Sequence, residues 1–131
     1  SFLALGEDAD TESFCAKNDI DSIRAYNLSK EAIIAWSIAE TEKSIARGIR
    51  FNTVSPGAVA TGILDDFMSA FGERASKNIA RVGTPANAED VAKVILFLAG
   101  SGSQWLRWID ITVDGGMAAL NSGDMLGLNI S

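Results

Sequence analysis

At 131 residues, 47% of them hydrophobic, the chain has the size and composition of one folded domain, and charges interrupt its apolar runs well short of the roughly 18 residues a membrane helix needs. A net charge of -6 offers no concentrated basic face to nucleic acid or anionic lipid. One cysteine, Cys15, and no histidine exclude an internal disulfide, a Cys/His metal site and histidine-dependent nucleophilic catalysis within the chain, so a soluble cytoplasmic protein without a metal is expected.

Residues 1–21 open with apolar Phe2, Leu3 and Leu5, then turn acidic: Glu7, Asp8, Asp10, Glu12, Asp19 and Asp21 stand against Lys17 alone. With little periodicity, this stretch is expected to be an irregular, solvated excursion. From Ser22 to Arg47, Ile34, Ile38 and Ile45 recur at helical spacing without Gly or Pro, which predicts one long helix capped by Gly48. Ile49 to Val54 reads as a buried strand, and Ser55-Pro56-Gly57 is expected to end it, because proline has no N–H to give a central ladder. Residues 58–83 hold the amphipathic piece Ile63 to Phe71 and then a polar stretch, predicting one or two short helices.

Asn87 followed by Asp90 matches a capping box, and Val91, Val94, Ile95 and Leu98 fall at i, i+3, i+4 and i+7 ahead of Gly100, predicting a second amphipathic helix. Ile109, Ile111 and Val113 alternate with Asp110 and Thr112 as a final strand, closed by an Asp114-Gly115-Gly116 turn. Alternating helices and strands predict an α/β domain with parallel strands and crossover helices. Two strands do not make a stable sheet, so partner strands are expected from a further segment or another chain.

Tyr26 and Lys30 carry the first chemical signal. Four residues apart on a predicted helix, they project from one face and can act on one small molecule. A phenol can give a proton to a forming alkoxide or withdraw one in reverse, and a neighbouring ammonium stabilises the phenolate that this exchange creates. Tyr26 is the single tyrosine, so phenol chemistry in this chain must use it.

Downstream comes Asn52-Thr53-Val54-Ser55-Pro56-Gly57-Ala58-Val59-Ala60-Thr61. YxxxK on a long helix, NxVxPGxVxT, a capped amphipathic helix and a strand ending in Asp-Gly-Gly resemble, in order and spacing, the C-terminal half of the short-chain dehydrogenase/reductase family over residues 22–120. The resemblance implies the C-terminal part of a Rossmann-like, doubly wound parallel sheet and an oxidoreductase using NAD or NADP. It implies Tyr26 as the acid/base and Lys30 as its helper, which also binds the nicotinamide ribose. The turn at Pro56 and Gly57 would hold the nicotinamide, with the main chain of Val59 and the side chain of Thr61 near its carboxamide. Gly57 at the carboxyl end of a strand, where backbone can approach a ligand, agrees with that placement.

The family's glycine-rich phosphate loop has no counterpart, since Gly100-Ser101-Gly102 follows a helix rather than a strand. Residue 1 is therefore expected to lie in the middle of a longer protein. Ser13 stands at the family's spacing for the serine that hydrogen-bonds the reacting oxygen. Its acidic setting favours instead an insertion over residues 1–21 that displaces this serine to Ser1 or upstream. Such an insertion resembles the 3-alpha-hydroxysteroid dehydrogenase/carbonyl reductase subgroup.

Ile63, Leu64, Phe67, Met68 and Phe71 would line an apolar substrate pocket or pack as core, and Trp105 and Trp108 would fill core or sit near subunit contacts. The implied partners are a small alcohol or ketone and further copies of the chain in a homodimer or homotetramer. Enoyl reductases of the family carry the lysine further from the tyrosine, and YxxxK-bearing epimerases lack the Pro-Gly and Asp-Gly-Gly segments. A reading from another class is a non-catalytic remnant or a module that pairs through its helices.

Overall fold

The computed structural model describes residues 10–128, apart from the side chains of residues 67, 70, 71, 74 and 75, and divides the chain into two units, Ser1–Phe51 and Asn52–Ser131. Among the described residues, no helix is long and apolar enough to cross a membrane.

In the first unit, part of the segment expected to be irregular is helical: α1 spans Thr11–Lys17. Two of the segment's acidic residues, Asp10 and Asp21, cap helices. The Asp10 carboxylate caps α1, accepting from the Ser13 backbone N–H at 3.0 Å and the Ser13 hydroxyl at 2.5 Å, and that hydroxyl holds the Asp10 carboxyl below its ordinary range. Asp21 caps the next helix, α2 (Ser22–Ala39), by accepting from Arg24 N at 2.7 Å. The single long helix expected to Arg47 is broken at Glu40 (φ -85, ψ 6) and resumes as α3 (Thr41–Ala46). The Thr41 hydroxyl donates to the Ile38 carbonyl at 2.5 Å, a local bond that competes with the helical ladder where no Gly or Pro marks a break.

The buried face of α2 and α3 also differs from the isoleucine stripe. Ser37 and Ser44 are buried, whereas Ile38 and Ile45 are about half exposed. Small side chains let a helix seat closely, and Ser37 satisfies its hydroxyl on the Ile34 carbonyl at 2.7 Å. Trp36 packs edge-on against Phe51 with ring centroids 5.5 Å apart.

The second unit is built on two parallel strands, β1 (Thr53–Pro56) and β2 (Asp110–Val113), paired Thr53 to Asp110 through Pro56 to Val113. β1 lies further along the chain than the expected Ile49–Val54 and runs through Pro56. Thr53 N–H donates to Ile109 C=O and Gly57 N–H to Val113 C=O, both at 3.0 Å, so alternate residues face β2 and the donor missing from Pro56 falls on the opposite edge.

Between the strands run α4 (Leu64–Val82), bent at Gly72 (φ 54, ψ -137), and α5 (Ala88–Ala99), with the Asn87/Asp90 capping box in place. On α5 Leu98 is buried and Ile95 about half exposed. Ser101–Ser103 is a 3-10 turn, and the fully buried Ser103 hydroxyl donates to Leu98 C=O at 2.8 Å. A final helix, α6 (Met117–Leu126), was not expected, and Arg81 of α4 forms a two-point ion pair with its Asp124.

The β1–β2 pair carries an internal polar clamp. The Asp110 carboxylate accepts from the hydroxyls of Thr53 at 2.7 Å and Ser55 at 2.8 Å, which locks the register that sets where β1 ends. Asn52 bridges the approach to β2, donating to Leu106 C=O at 3.1 Å and accepting from Ile109 N at 3.3 Å. Inside that bridge Trp108 sits in the left-handed region (φ 54), its indole N–H buried with no hydrogen-bond partner among the described residues. Trp105, in contrast to a core-filling role, is 90% exposed, with Arg107 over its ring.

Candidate active site

Tyr26 and Lys30 belong to the first unit and lie on α2. The helix places them one turn apart, with the Lys30 ammonium 5.3 Å from the centroid of the Tyr26 ring. Tyr26 is 51% exposed, so the face that carries the pair is accessible to a small molecule. Arg24 and Glu31 pair along the same helix, Nη1 to Oε1 at 2.9 Å. Ser13 is committed to Asp10 at the start of α1, and Ser1 lies outside the described residues.

Pro56, Gly57, Val59 and Thr61 belong to the second unit. Pro56 closes β1, and the chain then forms a second, isolated parallel bridge between Val59 and Ala86. Ala86 N–H donates to Ala58 C=O and Ala60 N–H to Ala86 C=O, both at 2.9 Å. Because parallel backbone alternates sides, the N–H and C=O of Val59 face away from Ala86. The Val59 carbonyl accepts from Thr61 N–H at 2.8 Å, and the Thr61 carbonyl accepts from Leu64 N–H at 2.9 Å, leading into α4. The turn therefore presents a backbone edge beyond the carboxyl end of β1, where α/β folds bind ligands.

The glycine at 57 has a reason the sequence did not show. A Cβ there would lie 2.7 Å from the Cβ and 2.9 Å from the Cα of Asp114, so Gly57 is required by contact with β2's end. Asp114 and Ala86, which hold the turn from two sides, were missed. Asp-Gly-Gly reads only as a turn in one dimension, and nothing in Thr84-Pro85-Ala86-Asn87 announces a bridge. Of the proposed pocket residues, Ile63 is 71% exposed, and the side chains of Phe67 and Phe71 lie outside the description.

The family described as enoyl-(acyl carrier protein) reductase matches residues 9–118. Coniferyl-alcohol dehydrogenase from Pseudomonas sp. is 36% identical over 110 residues, covering 82% of this chain and 43% of that protein. The 3-alpha-hydroxysteroid dehydrogenase/carbonyl reductase of Comamonas testosteroni is 31% identical over 101 residues, covering 73% of this chain and 38% of that protein. Among solved structures, the 3-alpha-hydroxysteroid dehydrogenase from Pseudomonas sp. B-0831 complexed with NADH superimposes with a TM-score of 0.74 at 31% identity, covering 81% of this chain and 42% of that one. The chain thus spans less than half the length of these relatives.

Proposed function

The chain belongs to the short-chain dehydrogenase/reductase family, with that family's Rossmann-like α/β fold, and on this premise we propose that it carries the catalytic residues of an NAD(P)-dependent oxidoreductase acting on a ketone or secondary alcohol. The observation that carries the reading is the Tyr26–Lys30 pair on one accessible face of α2.

Two features fit a nicotinamide cofactor. The Lys30 ammonium is a multiple donor suited to ribose hydroxyls, and the Val59 N–H, turned away from the Ala86 bridge, suits a carboxamide oxygen. Thr61 would add a side-chain hydroxyl beside it. When bound, the nicotinamide supplies or accepts the hydride. In the reducing direction the Tyr26 hydroxyl gives its proton to the carbonyl oxygen; in the oxidising direction the phenolate takes the proton from the alcohol. Lys30, held one turn away, stabilises the phenolate electrostatically.

A hydroxysteroid, or a carbonyl compound in the reducing direction, is the substrate class we favour, in view of the relatives named for 3-alpha-hydroxysteroids. We place the working enzyme in a homodimer or homotetramer.

The test uses the full-length protein with NADH and NADPH and a panel of ketones and secondary alcohols. Tyr26→Phe should abolish turnover while cofactor binding survives, and retained turnover would overturn the assignment. Reduction of an enoyl thioester in preference to every ketone would move the substrate class towards the enoyl reductases. A wild-type protein that binds neither cofactor would leave the helix-pairing module as the reading.

A further inference from the structure

The turn after β1 is held from two sides, by Asp114 against Gly57 and by the backbone bonds of Ala58 and Ala60 to Ala86. Gly57 rests on Asp114 with no room for a Cβ, and its N–H donates to Val113 C=O. A cavity of about 400 Å³ borders the turn, lined in part by Ala58, Val82, Ala86, Asp114, Gly115 and Met117. Asp114 therefore bears on the Gly57 end of the turn, while Ala86 holds it on either side of Val59.

Asp114 is followed by two glycines in the left-handed region, Gly115 (φ 65) and Gly116 (φ 93), the backbone least able to fix its own course. Asp114 spans them twice: its main-chain carbonyl accepts from Met117 N–H at 3.3 Å, and its carboxylate reaches further. Its Oδ1 accepts from Gly116 N–H at 2.8 Å and its Oδ2 from Ala118 N–H at 2.6 Å, tying the end of β2 to the first turn of α6. α6 is in turn fixed to α4 through Arg81 and Asp124.

We infer that Asp114 is a positioning residue for cofactor binding: its carboxylate staples β2 to α6 across the glycine pair and so holds the Gly57–Val59 turn where the nicotinamide carboxamide is received. The inference rests on the reading of Val59 and Thr61 as cofactor contacts. As a positioning residue, Asp114 would act through the backbone of Gly57.

The test compares full-length wild type, Asp114→Ala and Asp114→Asn by cofactor titration, steady-state kinetics and amide hydrogen exchange of the cofactor-free protein. Asp114→Ala should raise the Kd and KM for the cofactor roughly tenfold, the scale of one charge-assisted hydrogen bond, while kcat at saturating cofactor stays near wild type. Exchange at the Gly57 and Ala60 amides should accelerate. Asp114→Asn, which keeps an acceptor for one of the two N–H groups and sets an NH2 against the other, should weaken cofactor binding by an intermediate amount. It carries the test if the alanine variant does not fold, a wild-type Kd and wild-type exchange at Gly57 then overturning the inference.

Ser103→Ala is the control for general loss of stability. Its hydroxyl serves Leu98 and Gly100, and the variant should lower the melting temperature without moving the Kd. An Asp114→Ala protein with wild-type Kd and wild-type exchange at Gly57 would overturn the inference. If wild type binds no nicotinamide cofactor, the functional reading fails, and the exchange comparison still decides whether Asp114 holds the turn.

Discussion

Replacing Gly57 by alanine isolates the contact between the β1 turn and β2. Gly57 does not have a positive φ, so alanine meets no backbone strain and would ordinarily stabilise by about 0.4–1 kcal/mol through the unfolded chain. The new methyl would instead sit 2.7 Å from Asp114 Cβ and 2.9 Å from Asp114 Cα. Carbon atoms pack at roughly 3.5–4.0 Å, so the turn or the end of β2 must retreat by about 1 Å. Because the opposing atoms belong to the backbone and its first side-chain carbon, no rotamer change relieves the clash, and overpacking of this kind costs about 1–3 kcal/mol. The net expectation is a destabilisation of about 1–2 kcal/mol, read from urea denaturation midpoints at unchanged slope. Gly62→Ala is the matched comparison: it lacks positive φ and has nothing within 4 Å of an added Cβ, so it should be neutral or slightly stabilising. A Gly57→Ala protein as stable as wild type would refute the contact.

Two further outcomes follow from backbone and charge. At Gly116 an added Cβ meets nothing within 4 Å, but φ is 93, so Gly116→Ala should cost about 1–2 kcal/mol from conformation alone, and Gly116→Asn, which tolerates the left-handed region, should cost less; equal losses in thermal unfolding would count against this. The Asp90 carboxyl is held below its ordinary range, first by the Asn87 N–H and then by Lys93. Its contribution to stability is therefore present above the ordinary carboxylate range and lost as pH falls through the lowered value. The stability gap between wild type and Asp90→Asn should accordingly shrink from neutral to acid solution, and a gap that persists unchanged in acid would sink the reasoning.

What the sequence made legible was whatever a local pattern encodes. The Asn87/Asp90 box, the helix α5 that follows it and the one-turn separation of Tyr26 and Lys30 are decided within a few residues and stand as expected, although of the predicted apolar face on α5 Leu98 is buried while Ile95 is about half exposed. The break at Glu40 was hidden because no glycine or proline marks it. β1 was placed too early because its limits come from pairing with Asp110–Val113, a partner far along the chain. α6 was missed for a similar reason: its N-terminal cap is a left-handed glycine, and the carboxylate that satisfies its first turn belongs to Asp114, outside the helix.

The Pro-Gly and Asp-Gly-Gly segments illustrate what a one-dimensional reading cannot join. Read separately, each is a strand followed by a turn, and Gly57 is assigned to ligand approach because no other neighbour is in view. In the fold they are one contact, since the parallel pairing of β1 and β2 brings the two strand ends level and sets Gly57 on Asp114. Glycine is needed at 57 to admit β2, at 115 and 116 to turn the chain into α6, and the Asp114 carboxylate is needed to hold that turn still. If the turn around Val59 receives the nicotinamide as proposed, the element that sets it is only half contained in the family motif, and the other half lies at the end of β2, on Asp114.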